Sequence, residues 1–238
     1  MRIQVARILL FTLTLGSCGV ARAGLFYNYS GPPVAIPDNN ASGVAFSFSL
    51  SDPVVAIAEV TVTLNISGGY NGDLYAYLSH GSGFAVLLNR VGVGTTTPGS
   101  SAAGYGDSGF AITLSSGAAA NVHFYQNNDP VYSNGQLTGE WQPDGRGIDP
   151  DSTAVAFDPP GDANFDSFLG ANPNGSWTLF FADLSRGGDS TMNGFSVGVV
   201  PEPVNLALFV FGGLLAAVAL CRWWRRGAGA RVRQSPVS

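Results

Sequence analysis

Residues 54–66 constrain the fold more than any other stretch. Val54, Ala56, Ala58, Val60, Val62, Leu64 and Ile66 are all apolar, and Glu59, Thr61, Thr63 and Asn65 stand between them. A period of two puts alternate side chains on opposite faces of an extended chain, so the pattern predicts a strand with one face in a core and the other in water. The same alternation marks Val44, Phe46, Phe48 and Leu50; Phe84, Val86 and Leu88; Phe110, Ile112 and Leu114; Trp177, Leu179 and Phe181; and Phe195, Val197 and Val199. No stretch between them carries the apolar stripe of an amphipathic helix. Glycine and asparagine punctuate the runs at Gly68-Gly69-Tyr70-Asn71-Gly72, His80-Gly81-Ser82-Gly83, Asn134-Gly135 and Gly187-Gly188, as turns with positive φ require. Many short strands joined by such turns predict an all-β, jelly-roll-like antiparallel β-sandwich. Residues 92–109 and 126–153 are long for loops, which in compact domains are often functional.

The two ends read differently. Arg2 and Arg7 flank a charged start, residues 8–15 (ILLFTLTL) are apolar, and Ala21-Arg22-Ala23 is an A-x-A cleavage site, so residues 1–23 are expected to be a signal peptide and the exported domain to begin at Gly24. Leu15-Gly16-Ser17-Cys18 also has the outline of a lipobox, which would acylate Cys18. At the other end residues 204–221 are apolar apart from Asn205 and reach roughly 27 Å as a helix, enough to span a bilayer. Arg222, Arg225, Arg226, Arg231 and Arg233 follow, which predicts a cytoplasmic C-terminus at 222–238, and Trp223 and Trp224 sit where interfacial aromatics anchor. On physics alone this is a membrane anchor.

Pro201-Glu202-Pro203, the apolar span and the arginine cluster together resemble the PEP-CTERM sorting signal of bacterial envelope proteins. The resemblance implies recognition by an exosortase, a membrane-embedded transpeptidase-like enzyme, with cleavage near the motif and transfer of the domain to the cell surface or extracellular matrix. Two prolines suit that role, because they resist helix and keep the segment extended for a protease cleft.

That leaves residues 24–200 as one domain, with its core expected at about 44–200. A domain of this size buries about 70% of its unfolded surface and folds without a staple. Cys18 and Cys221 both lie outside it. The chain has no lysine, and within 24–200 three arginines, Arg90, Arg146 and Arg186, face fifteen Asp and Glu. Such a balance excludes nucleic acid, whose phosphates need clustered cations, and permits divalent cations or basic partners.

Within the domain, Gly69-Tyr70-Asn71-Gly72-Asp73-Leu74 with Ala76 and Leu78, then Asn174-Gly175-Ser176-Trp177-Thr178-Leu179, Asp183 and Asp189-Ser190-Thr191-Met192-Asn193-Gly194-Phe195-Ser196-Val197, resemble the P/Homo B domain, a jelly-roll sandwich that accompanies subtilisin-like proteases and proprotein convertases. The histidine that commonly precedes the first block's turn is replaced by Ser67 and Gly68. Glu140-Trp141-Gln142-Pro143-Asp144-Gly145-Arg146 is similar to a segment found in P-domain-like proteins with PEP-CTERM tails.

Three constellations carry candidate chemistry. Gly106-Asp107-Ser108-Gly109 matches the residues around a trypsin-like nucleophile, but only His80 and His123 are available as bases, His80 lies in a Ser-His-Gly turn unlike that family's, and Phe110 rather than glycine follows Gly109. No catalytic residue is therefore expected. Asp144, Asp149, Asp151, Asp158, Asp162 and Asp166, with Asp73, Asp107, Asp183 and Asp189 in turns, offer oxygen ligands for calcium without the spacing of any calcium loop, and no other cofactor is implied. Tyr70, Tyr75, Tyr77 and Trp141 offer rings for a sugar, although Tyr75 and Tyr77 equally fit a half-exposed sheet face. The expected function is a non-catalytic module that binds surface polysaccharide or envelope proteins after exosortase processing; the alternative is a P domain assisting a subtilisin-like serine endopeptidase.

Overall fold

The structure, a computed structural model, describes residues 24–51, 56–202, 211–219 and 222. Two sheets make up the molecule, joined by turns, loops and short 3-10 segments. The larger contains β1 (Leu25–Asn28), β2 (Val34–Ile36), β4 (Ile57–Gly68), β7 (Phe110–Ser115), β8 (Tyr132–Ser133), β9 (Gln136–Trp141) and β11 (Ser190–Pro201), in the order β1-β11-β4-β7-β9-β8 with β2 also on β11. The smaller contains β3 (Asn40–Leu50), β5 (Leu74–His80), β6 (Gly83–Asn89) and β10 (Gly175–Asp183), in the order β3-β10-β5-β6.

Their inner faces are the alternating apolar sets. Val60, Val62, Leu64 and Ile66 of β4 lie between Phe110, Ile112 and Leu114 of β7 and Met192, Phe195, Val197 and Val199 of β11, and all are buried. From the opposite sheet come Phe48 and Leu50, Leu74, Ala76 and Leu78, and Trp177, Leu179 and Phe181. Rings bridge the layers: Phe195 lies 5.3 Å from Phe46, and Tyr27 stacks on Phe48 at 4.2 Å. At about 1.5–3 kcal/mol for each fully buried side chain of this size, this interior is the main favourable contribution to folding.

The all-β sandwich is as expected; the uniformly antiparallel arrangement is not. β7 and β9 pair in parallel, Phe110 opposite Leu137 through Leu114 opposite Trp141. A parallel pair needs a crossover of a dozen residues or more, and residues 116–135 supply it through a 3-10 segment and the tight β8–β9 hairpin. The long loop expected over 126–153 therefore contains β8 and β9.

Two bulges alter the predicted faces. The register slips between Val200 and Pro201, where Ala58 has no partner, so Ile57 is buried in its place. A second slip, between Ala76 and Tyr77, passes over Leu87 and turns Phe84 outward, where it is 37% exposed. Val54, the expected signal peptide with Ala21 and Ala23, and Cys18 lie outside the described residues. Of the expected span 204–221, residues 211–219 are described and are helical, with Phe211, Leu214, Leu215 and Val218 exposed. Among the described residues no helix is long and apolar enough to cross a membrane.

Candidate functional site

The segment from Glu140 to Arg146 leaves β9 and passes along the free edge of β6. Gly145 donates to the Val86 carbonyl at 2.9 Å and Asp144 to the Leu87 carbonyl at 3.1 Å. This buries Asp144 completely. Its Oδ2 meets His123 Nδ1 at 2.5 Å and accepts the Asn89 amide at 3.1 Å, and its Oδ1 accepts from Arg146 Nη1 at 3.2 Å. Burial alone would push the Asp144 carboxyl up; the charge and hydrogen bond of His123, then Arg146 and the Asn89 amide, hold it below the usual carboxylate range. Both partners are secured in turn. His123 Nε2 donates to the Val93 carbonyl at 2.8 Å, and Arg146 Nε donates to the Phe157 carbonyl at 2.7 Å with its guanidinium over the Phe124 ring.

Above this network lies a polar cleft of about 290 Å³ lined by Ser116, Asn121, Gln142, Pro143, Gly145, Gly161, Asn164 and Asp166. Its floor is bare backbone. Gly145 has φ +74°, and a Cβ on Gly161 would lie 2.0 Å from the Gly145 carbonyl carbon. Asn121 is committed to the walls, accepting from the His123 amide and donating to the Pro143 and Asp144 carbonyls. Gln142 donates to the Ala118 carbonyl and Asn164 accepts from the Asp166 amide. Gln142 Oε1, Asn164 Nδ2, the Ser116 hydroxyl and the Asp166 carboxylate have no protein partner among the described residues.

A second feature is the outer face of the four-stranded sheet. Tyr75, Tyr77, Phe84 and Phe180 form one strip there, with Tyr77 stacked on Phe180 at 4.9 Å and 5.2 Å from Phe84. Beside it run Ser47, Ser49, Ser79, Ser176 and Thr178; Ser49 pairs with Ser176, and Thr178 pairs with Ser47 on one side and Ser79 on the other. Apart from Asp183, buried at the end of β10, the four strands contain no Asp, Glu, Lys or Arg. Tyr75 and Tyr77 were legible as candidate rings; Phe180, flanked by the inward Leu179 and Phe181, and Phe84, turned out by the bulge, were not. Of the other candidate rings, Tyr70 is 48% exposed at a different end and Trp141 is buried.

The acidic residues do not converge on one point. Asp158 accepts from the Thr95 amide and hydroxyl, both at 2.6 Å, and the Thr95 hydroxyl bond leads the hydrogen bonds that hold its carboxyl down to about 2. Asp149 accepts from the Asp151 amide. Asp107 Oδ2 accepts from Tyr125, Gln126 and Tyr132. Asp73 and Asp183 lie together under the first and last turns, Leu74 opposite Asp183, and both carboxyls are raised by burial; for Asp183, with Asp73 and Asp38 nearby, the value reaches about 6. Among the described residues no group of three or more His, Cys, Asp or Glu is placed to hold a metal ion.

Ser108 is exposed, and among the described residues no hydrogen bond joins it to a histidine. His80 is stacked on Trp177 at 4.1 Å with its ring nitrogens 2.9 and 2.8 Å from the Ser176 and Asn172 carbonyls, and His123 is occupied as described. The residues around Asn71 serve the fold: Asn71 accepts the Gly109 amide at 2.7 Å, and Gly72 fits because a Cβ there would lie 2.6 Å from the Tyr105 nitrogen.

At the C-terminal end, Pro201 is the last residue of β11 and pairs with Ile57, and Glu202 donates to the Ala56 carbonyl at 3.0 Å. Proline is tolerated there because β1 begins at Leu25, opposite Val199, so no described strand flanks Pro201 on its other side. Gly24 consequently lies beside the end of β11. Arg222 is exposed; Pro203, Arg225 and Arg226 lie outside the described residues.

No family model matches this sequence, and no curated protein matches it. Among solved structures, the complex of Aeromonas sobria serine protease with its chaperone matches at 15% identity over 76% of this chain and 27% of that one, with a TM-score of 0.41. The Aeromonas sobria serine protease matches at 14% identity over 76% of this chain and 26% of that one, with a TM-score of 0.38. The chain thus spans about a quarter of the length of the chains it matches.

Proposed function

We propose that this chain is an exported, non-catalytic binding module, sorted to the cell surface through Pro201-Glu202-Pro203 and holding neutral polysaccharide on the outer face of its four-stranded sheet. The observation that carries this reading is the composition of that face. It combines four aromatic rings with a double row of hydroxyls and no charged side chain, in a domain where acidic residues outnumber basic ones five to one. Half-exposed rings supply apolar stacking area and serine and threonine hydroxyls supply exchangeable hydrogen bonds, the combination a sugar ring requires. An acidic domain repels uronate polymers, so the favoured polymer is neutral.

The test is retention of the full-length protein on insoluble neutral glycans. Tyr77→Ala and Phe180→Ala are each expected to weaken binding about tenfold, and a wild-type chain that passes through every glycan unretained overturns the reading. For sorting, mass spectrometry of the cell-surface protein is expected to find an end near Pro203 in an exosortase-positive host and the intact tail in a host without the enzyme.

A second reading is a protease-associated P domain of jelly-roll type. Its support is the residues of the P/Homo B resemblance, which stand together in space: Asn71 and Asp73 precede β5, Leu74 pairs with Asp183, and Trp177 donates to the Pro173 carbonyl at the head of β10. This reading requires that the protein raise the melting temperature of a subtilisin-like protease on mixing, which the glycan reading does not.

A further inference from the structure

The cleft and the aromatic face lie on the two sides of one strand. Tyr77 of the face pairs with Val86 of β6; on its other edge the Val86 carbonyl accepts the Gly145 amide, and its amide donates to Ala163. Phe84 is tied in the same way to Ser167, which accepts its amide at 3.0 Å and donates to its carbonyl at 2.8 Å. Asn164 and Asp166, the outer wall of the cleft, therefore belong to the segment that borders the strip at Phe84.

We infer that this cleft is a subsite for a single neutral, hydroxyl-rich sugar ring at the border of the aromatic face; in this it rests on the glycan reading above. A volume of about 290 Å³ is at the low end of small-molecule sites and admits one ring rather than a chain. The ring would meet two acceptors, Gln142 Oε1 and the Asp166 carboxylate, and two groups that donate, Asn164 Nδ2 and the Ser116 hydroxyl. Vicinal hydroxyls can both donate to one carboxylate, which has four lone-pair sites. No basic side chain lines the cleft, and the guanidinium beneath it is committed to Asp144 and Phe157, so an anionic sugar finds no counter-charge. The floor needs bare glycine backbone, and Asp144, gripped by His123 and Arg146, holds that floor in place. A ring can therefore bind without ordering new structure, which limits the entropic cost of association.

The test is hydrogen exchange and calorimetric titration of the full-length chain in phospholipid nanodiscs with cellotetraose, maltotetraose, mannotetraose and tetragalacturonate. At least one neutral tetrasaccharide is expected to slow exchange in peptides covering 140–147 and 160–167 as well as 74–86, and tetragalacturonate to slow neither. The Asp166→Ala variant, which removes a carboxylate with no protein partner among the described residues, is expected to bind about tenfold more weakly with an unchanged melting temperature. Protection confined to 74–86 overturns the subsite and leaves the face standing. Protection confined to the cleft peptides overturns the face and leaves the subsite. Protection of neither by any neutral probe overturns both.

Discussion

Two aspartates in this molecule are equally inaccessible to water and behave in opposite ways. Asp144, at the edge of β6, is gripped by His123 and Arg146 and is held below the ordinary carboxylate range. Asp183, at the end of β10, has among the described residues the Ser185 amide at 3.3 Å and the Ser190 hydroxyl at 3.4 Å, and burial beside Asp73 and Asp38 lifts it to about 6. Burial pushes both carboxyls up; at Asp144 His123 and Arg146 outweigh it, and at Asp183 the two long hydrogen bonds do not. The first site is a charged rivet beneath a preorganised cleft. The second is a place where the fold prefers a proton.

The largest break in this comparison is Asp144→Ala. It leaves an arginine and a doubly engaged histidine in the interior without their counter-charge, and removal of one partner from such a buried group costs about 3–5 kcal/mol. Urea denaturation is expected to show a loss of that order, and a loss under 1 kcal/mol would mean that water reaches the site. The triple variant Asp144→Asn/His123→Gln/Arg146→Met removes the charges together and is expected to recover at least half of the loss, because coupled partners are not additive.

How much of this was visible beforehand depends on range. The alternations at 60–66, 110–114, 177–181 and 195–199 name the core because each reports only which side of its own strand is wet. The parallel β7–β9 pair was hidden, since strand direction depends on a crossover through 116–135 that has no local periodicity. Phe84 was misplaced because a bulge is a property of two strands in register, and Phe180 was masked by apolar neighbours on both sides. The site was harder still. Glu140 to Arg146 stood out only as a familiar segment, and nothing near it in sequence announces that Asn89, His123 and Gly161 converge on Asp144 and Gly145. The acidic run does not converge on one point: Asp144 and Asp158 have partners of their own, and the Asp166 carboxylate has none among the described residues.

The smallest effect expected is also the one that sharpens the contrast most, because it has a sign. An acid held low in the fold adds stability that is present above its unfolded value, about 3.9, and lost as pH falls through the folded one; this is Asp144. An acid held high adds stability that is present below about 3.9 and lost as pH rises through the folded value, about 6 for Asp183. The Asp144 contribution changes only below about 3.9 and that of Asp183 between about 3.9 and 6, so thermal stability should fall gently between pH 4.5 and pH 7. Asp183→Asn keeps the shape of the protonated side chain and cannot ionise. Its melting temperature is expected to match the wild type at pH 3.5 and to exceed it at pH 7.5, with Asp73→Asn changing the same way, since the Asp73 carboxyl is also raised. A variant less stable than the wild type at pH 7.5 would show that an ionised Asp183 is used in the fold. If millimolar calcium stabilised the wild type at that pH and not the variant, the use would be cation binding in place of the proton.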